Sequence, residues 1–120
     1  MGYKFINTEY LDSVSGGDAS VISEIVNLFK EQSAEIYDEM KSHLAARNYK
    51  SLGLLAHKAK SSVLIMGMDD LAAMLRTFEH QALDDKESDM YESYIMRFKT
   101  ETESAIKELE DLVRKNSTRP

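Results

Sequence analysis

The chain has 120 residues, 42% of them hydrophobic and 30% charged, with one Pro, five Gly and no Cys, which suits one compact domain and leaves no room for two. Fifteen Lys and Arg against 21 Asp and Glu leave a formal charge of −6, so a general electrostatic drive toward nucleic-acid phosphates is missing and no nucleic-acid partner is expected. The absence of Cys removes disulfides, Cys-based zinc sites and thiol nucleophiles, and fits a reducing compartment.

Long stretches free of Pro and rich in Ala, Leu, Met, Glu and Lys predict an all-α chain. Asn7 is the expected N-cap of a short helix through Val14, which Ser15-Gly16-Gly17 ends. Asp18 then caps a long amphipathic helix, where Ile22, Ile25, Val26, Phe29, Ser33, Ile36, Met40 and Leu44 recur at spacings of three and four through about Ala46. Past the polar break Arg47-Asn48, a third helix aligns Leu52, Leu55, Ala56, Ala59, Val63 and Met66 and ends or bends at Gly67. Asp69 is the expected cap of a fourth helix carrying Leu71, Met74, Leu75, Phe78 and Ala82, which stops near Asp84-Asp85. Ser88 or Asp89 caps the last, along which run Tyr91, Tyr94, Ile95, Phe98, Thr102, Ala105, Ile106, Leu109 and Leu112.

A polar tail, 116–120, is expected to fray. Helices of about 15 to 28 residues with short connections predict an antiparallel up-down-up-down four-helix bundle, with the short extra N-terminal helix across one end. The single domain spans 1–120, with its core at about 5–115. The longest apolar run, Val63 to Met66, reaches only Met68 through Gly67, far short of the roughly 20 residues that span a bilayer. With no apolar leader at the N-terminus either, the protein is expected to be cytoplasmic and free of the membrane. The glycines at 2, 16, 17, 53 and 67 form no G-x-G-x-x-G or G-x-x-x-x-G-K-S/T loop, so no ATP-dependent kinase is expected.

The third helix carries more than fold. At about 100° per residue its core stripe centres on Leu55, Ala59 and Met66, and His57 falls nearly opposite. Lys50, Gly53, Leu54, Lys60, Ser61 and Leu64 share that outward face, with Lys58 and Ile65 on a flank. Apolar, small and cationic residues around an accessible imidazole suit a protein partner. Imidazole is largely free base near neutral pH and can attack an activated phosphoryl group. Lys60 and Lys58 could offset the charge acquired, while a carboxylate or amide on a neighbouring helix could hold the other ring nitrogen. No residue of the face supplies metal or leaving-group activation, so the partner must bring both. Spacing alone does not distinguish this from an ordinary solvated helix face.

The run His57-Lys-Ala-Lys-Ser-Ser-Val-Leu-Ile-Met-Gly67-Met-Asp-Asp-Leu71, followed by Phe78-Glu79, resembles the signature of histidine-containing phosphotransfer (HPt) domains. That signature reads approximately H-x-L-K-G-S-S-x-x-x-G-x-x-x-L, with L-E in the next helix. Gly17-Asp18 through Phe29 also resembles the family's second helix, so the likeness runs from about Phe5 to the last helix. The resemblance implies that His57 accepts a phosphoryl group from a receiver-domain aspartate and returns it to a receiver. Lys60 then matches the Lys that stabilises the phosphoryl charge, Glu79 the residue that orients the imidazole, Gly67 the turn between helices, and Ser62 a small packing position. Gly53, Leu54, Lys58, Ser61 and Leu64 become the expected docking rim. Ser61 departs from the family's usual Gly and narrows the receiver's approach, while Ala59, Val63 and Phe78 replace Leu, Ser and Leu in packing positions.

The implied function is a phosphoryl carrier in a His-Asp phosphorelay, without kinase or phosphatase activity of its own. Its expected partners are response-regulator receiver domains and a hybrid sensor kinase; it needs no cofactor, since Mg²⁺ belongs to the receiver, and it works as a monomer. Two rivals stand beside it. One is a module that binds a receiver or kinase on the same face without carrying phosphate. The other is a metal-binding bundle using His43, His57, His80 and the abundant carboxylates. That last has little support, since Glu39-Met-Lys-Ser-His43 is one residue too long for the E-x-x-H pairs of di-iron bundles.

Overall fold

Helix boundaries in the computed structural model, which describes residues 3–117, follow local capping chemistry in most places. The helices are α1 (Glu9–Ser15), α2 (Ala19–Ala45), α3 (Tyr49–Ile65), α4 (Asp69–Leu83) and α5 (Tyr91–Ser117), with one 3₁₀ turn, Ser88–Met90, before α5 and no strand among the described residues. Asp18 caps α2: its carboxylate accepts from the Ser20 hydroxyl at 2.7 Å and the Ser20 N–H at 2.9 Å, bonds that hold its carboxyl below the ordinary Asp range. Asn48 caps α3 by accepting from the Ser51 N–H.

Three caps differ from expectation. Thr8, not Asn7, occupies the cap position of α1, yet the Asn7 side chain still accepts from the Glu9 N–H at 3.0 Å. Asp69 is the first residue of α4 and does not cap it; the cap position falls to Met68, whose side chain is buried and makes no cap bond. Core burial of Met68 outweighs one capping bond there. Ser88 and Asp89 lie in the 3₁₀ turn, and α5 begins at the fully buried Tyr91. The Tyr91 hydroxyl donates to the carbonyls of Gln81 and Lys86, which fixes the α4–α5 connection, and burial pushes its phenol above the usual range. At the other end, α5 runs on through Ser117, with Asp111 paired to Arg114 and Lys115, three and four residues on; the rest of the expected tail, 118–120, lies outside the described residues.

The apolar stripes bury against one another in cyclic order. α2 packs on α3 and α5, and α4 packs on α3 and α5, so sequence neighbours are antiparallel neighbours in an up-down-up-down bundle of 53 × 21 × 20 Å. α2 and α5 have 27 residues each against 17 and 15 for α3 and α4, which makes them roughly 15 to 18 Å longer at 1.5 Å per residue. The N-terminal segment is bound at the end where the short pair turns. Glu108 of α5 accepts the backbone N–H groups of Lys4, Phe5 and Ile6 at 2.9–3.1 Å, and the Asn7 N–H donates to the Met66 carbonyl at 3.0 Å. Ile6 and Leu11 are buried there, with α1 against α2.

Gly67 makes this junction possible. Its φ is +70°, and a Cβ at this position would stand 2.5 Å from the Asn7 Cβ and 2.6 Å from the Asn7 carbonyl oxygen. Gly67→Ala is therefore expected to lower stability by about 1–3 kcal/mol in urea denaturation, through left-handed strain and displacement of the N-terminal segment. An unchanged midpoint would mean that the segment is not seated on this turn.

Candidate functional site

Burial of Leu52, Leu55, Ala56, Ala59 and Val63 fixes the rotation of α3, and with it the outward position of His57, whose side chain is 56% exposed. On α4 the anchor is Phe78, completely buried, with its ring centroid 5.3 Å from that of Tyr91 and 5.2 Å from that of Tyr94. The residue after this anchor, Glu79, is thereby held at the seam between α3 and α4, where its side chain is only 15% exposed.

The seam is narrow because of Gly53. A Cβ there would lie 2.9 Å from the Leu83 side chain and 3.2 Å from the Glu79 carbonyl oxygen, and Gly53 itself is buried. This corrects the expectation that Gly53 belongs to the exposed docking rim. Its wheel angle points outward from α3, but α4 covers that side and uses the missing side chain to come close.

Three side chains meet at the seam. His57 Nδ1 lies 3.1 Å from Glu79 Oε2, and Lys60 Nζ lies 3.7 Å from Glu79 Oε1. Oε1 is buried without a hydrogen-bond partner, so the Lys60 charge is what faces it. Lys60 is itself folded toward the seam and mostly covered. With a proton on Nδ1 donated to the Glu79 carboxylate, the lone pair sits on Nε2. The result is an exposed imidazole of fixed orientation with one ammonium group a helical turn away.

Around this trio Leu54, Lys58, Ser61 and Leu64 are exposed, as are Lys50 and Ile65, while Ser62 is half-buried. The Ser61 hydroxyl donates back to the His57 carbonyl at 3.4 Å. Leu83 is a further exposed apolar residue beside the site, and sequence reasoning missed it. The available signal was its place four residues after Glu79, one turn along the same face of α4. His43 is half-buried in the last turn of α2 and His80 is exposed on α4. Among the described residues no three His, Asp or Glu side chains come together in a way that could hold a metal ion.

A family model described as Hpt domain matches residues 24–115. Neither a curated protein nor a solved structure matches the chain. The matched span begins in α2 and holds α3, α4 and nearly all of α5, so the whole seam lies within it.

Proposed function

Since the chain belongs to the Hpt domain family, the phosphocarrier modules of His-Asp phosphorelays, we propose that His57 receives a phosphoryl group from the aspartyl phosphate of a receiver domain and passes it to another receiver. The observation that carries this reading is the 3.1 Å pairing of His57 Nδ1 with Glu79 on a ring that stays exposed. In the forward step Nε2 attacks phosphorus, the P–N bond forms as the P–O bond to the receiver aspartate breaks, and the carboxylate departs. The Nδ1 proton stays on the ring, shared with Glu79, so the imidazole gains no uncompensated positive charge. Charge on the moving phosphoryl group is offset by Lys60 from this chain and by the receiver's own Mg²⁺ and Lys.

On this reading Glu79 is engaged in holding the ring and no residue is assigned to activate water, so phosphohistidine persists until a receiver arrives. The domain is on this reading a shuttle without kinase or phosphatase activity of its own, needing no cofactor. Response-regulator receivers and a hybrid sensor kinase are its partners, not nucleic acid or membrane, and it works as a cytoplasmic monomer. No helix among the described residues is long and apolar enough to cross a membrane.

The test is transfer of labelled phosphate from a panel of phosphorylated receiver domains, scored as acid-labile, base-stable label. Lys60→Ala is expected to slow acceptance or shorten the life of the phosphohistidine by about tenfold, the order of one charge-assisted contact to the phosphoryl group, with receiver docking nearly intact. Unchanged kinetics would remove Lys60 from the site. The binding-module reading draws on Ser61, whose hydroxymethyl group stands on the approach to His57. It predicts detectable docking with no label passed to this chain from any receiver.

A further inference from the structure

Leu83 is an exposed apolar residue beside the site that neither the bundle core nor the phosphoryl chemistry uses. It lies directly over Gly53, in a position that any side chain at 53 would contest, and still leaves 45% of its surface to solvent. Leu54, next to Gly53, is 59% exposed. Because α3 and α4 are antiparallel, going back one turn from His57 to Leu54 and forward one turn from Glu79 to Leu83 moves toward the same end of the bundle. The two leucines therefore lie at one level of the bundle, a single turn from the reactive ring, and flank Gly53 as an exposed apolar shelf. Beyond the shelf, Arg47, Asn48, Tyr49, Lys50, Ala82, Leu83 and Asp85 line an open groove of about 560 Å³. Two cations and one carboxylate edge it, on a chain whose formal charge is −6.

We propose that this shelf is a second foothold for the receiver, and that Leu83 of α4 is a specificity-determining residue for docking. The inference rests on the carrier reading above and extends it. The shelf is continuous with the face that must meet a receiver if His57 is to reach an aspartyl phosphate. Its chemistry fits a receiver segment that presents an apolar side chain with carboxylates on one flank only, where Lys50 and Arg47 meet them. Asp85 at the same edge disfavours segments with carboxylates on both flanks, which gives the shelf a means of discriminating among receivers. Gly53 acts through Leu83, by providing the space in which it is seated.

The experiment measures transfer of labelled phosphate from a phosphorylated receiver over a range of receiver concentrations, beside direct loading of His57 by labelled phosphoramidate, a donor too small to touch the shelf. Leu83→Ala is expected to raise the half-saturating receiver concentration about threefold to tenfold, and Leu83→Glu more than tenfold. The limiting rate and phosphoramidate loading should stay at wild-type values, and Leu83→Met should restore docking. Circular dichroism checks that the helices remain. Unchanged half-saturation with normal loading overturns the foothold and leaves the carrier role standing. Loss of phosphoramidate loading in Leu83→Ala also overturns it, since Leu83 would then act by holding Glu79. A wild-type protein that takes label from neither donor overturns the carrier reading itself.

Discussion

Replacing His57 by Gln is expected to reduce phosphoryl acceptance from any receiver to background while leaving the fold intact. Gln keeps an amide N–H that can meet Glu79 Oε2, but it has no nitrogen lone pair with which to attack phosphorus. More than half of the His57 side chain faces solvent and it contributes to no core contact, so the stability change in urea should stay within about 0.5 kcal/mol. A loss above about 2 kcal/mol would show that the ring is structural. The same variant separates the two functional readings in cells: a binding module keeps its effect, whereas a carrier loses it.

Phe78→Ala is expected to cost about 3–5 kcal/mol. The ring is fully buried and stands against Tyr91 and Tyr94 of α5, so truncation leaves a void between α4 and α5 that their aromatic rings cannot close. Against a total stability of about 5–15 kcal/mol for a domain, that loss brings much of the chain close to unfolding at ambient temperature. Function should fall with it, because Phe78 immediately precedes Glu79 and sets its depth in the seam. Urea denaturation of Phe78→Ala beside Phe78→Leu makes the check: the Leu variant, which keeps most of the volume, should retain more than half of the difference. A loss under about 1 kcal/mol for the Ala variant would mean that the α4–α5 contact is not organised around this ring.

The helical periodicity of the sequence was enough to place the core, because stripes such as Ile22, Val26, Phe29, Ile36 and Met40 answer only to the geometry of their own helix. The same holds for the outward turn of His57. What a single helix cannot encode is the neighbour that approaches it. Gly53 has an outward wheel angle and was expected at the surface, yet α4 closes over it, and Leu83 escaped notice because its partner lies on another helix. The pairing of Glu79 with His57 is of the same kind. From the residues alone only some carboxylate or amide was expected, and the resemblance to a family singled out Glu79, which the structure brings to 3.1 Å. Helix starts were legible where a polar cap had no competitor, as at Asp18. They were misread where burial of Met68 or Tyr91 overrode the cap.

The most direct measurement labels the histidine rings with nitrogen-15, charges the protein from a phosphorylated receiver, and locates phosphorus by its coupling to ring nitrogen. The expected result is one phosphoryl group on Nε2 of His57, with Nδ1 still protonated against Glu79 and with His43 and His80 unmodified. Phosphorus on His43, on His80 or on Nδ1 of His57, or on no histidine at all after receiver charging, would contradict the account.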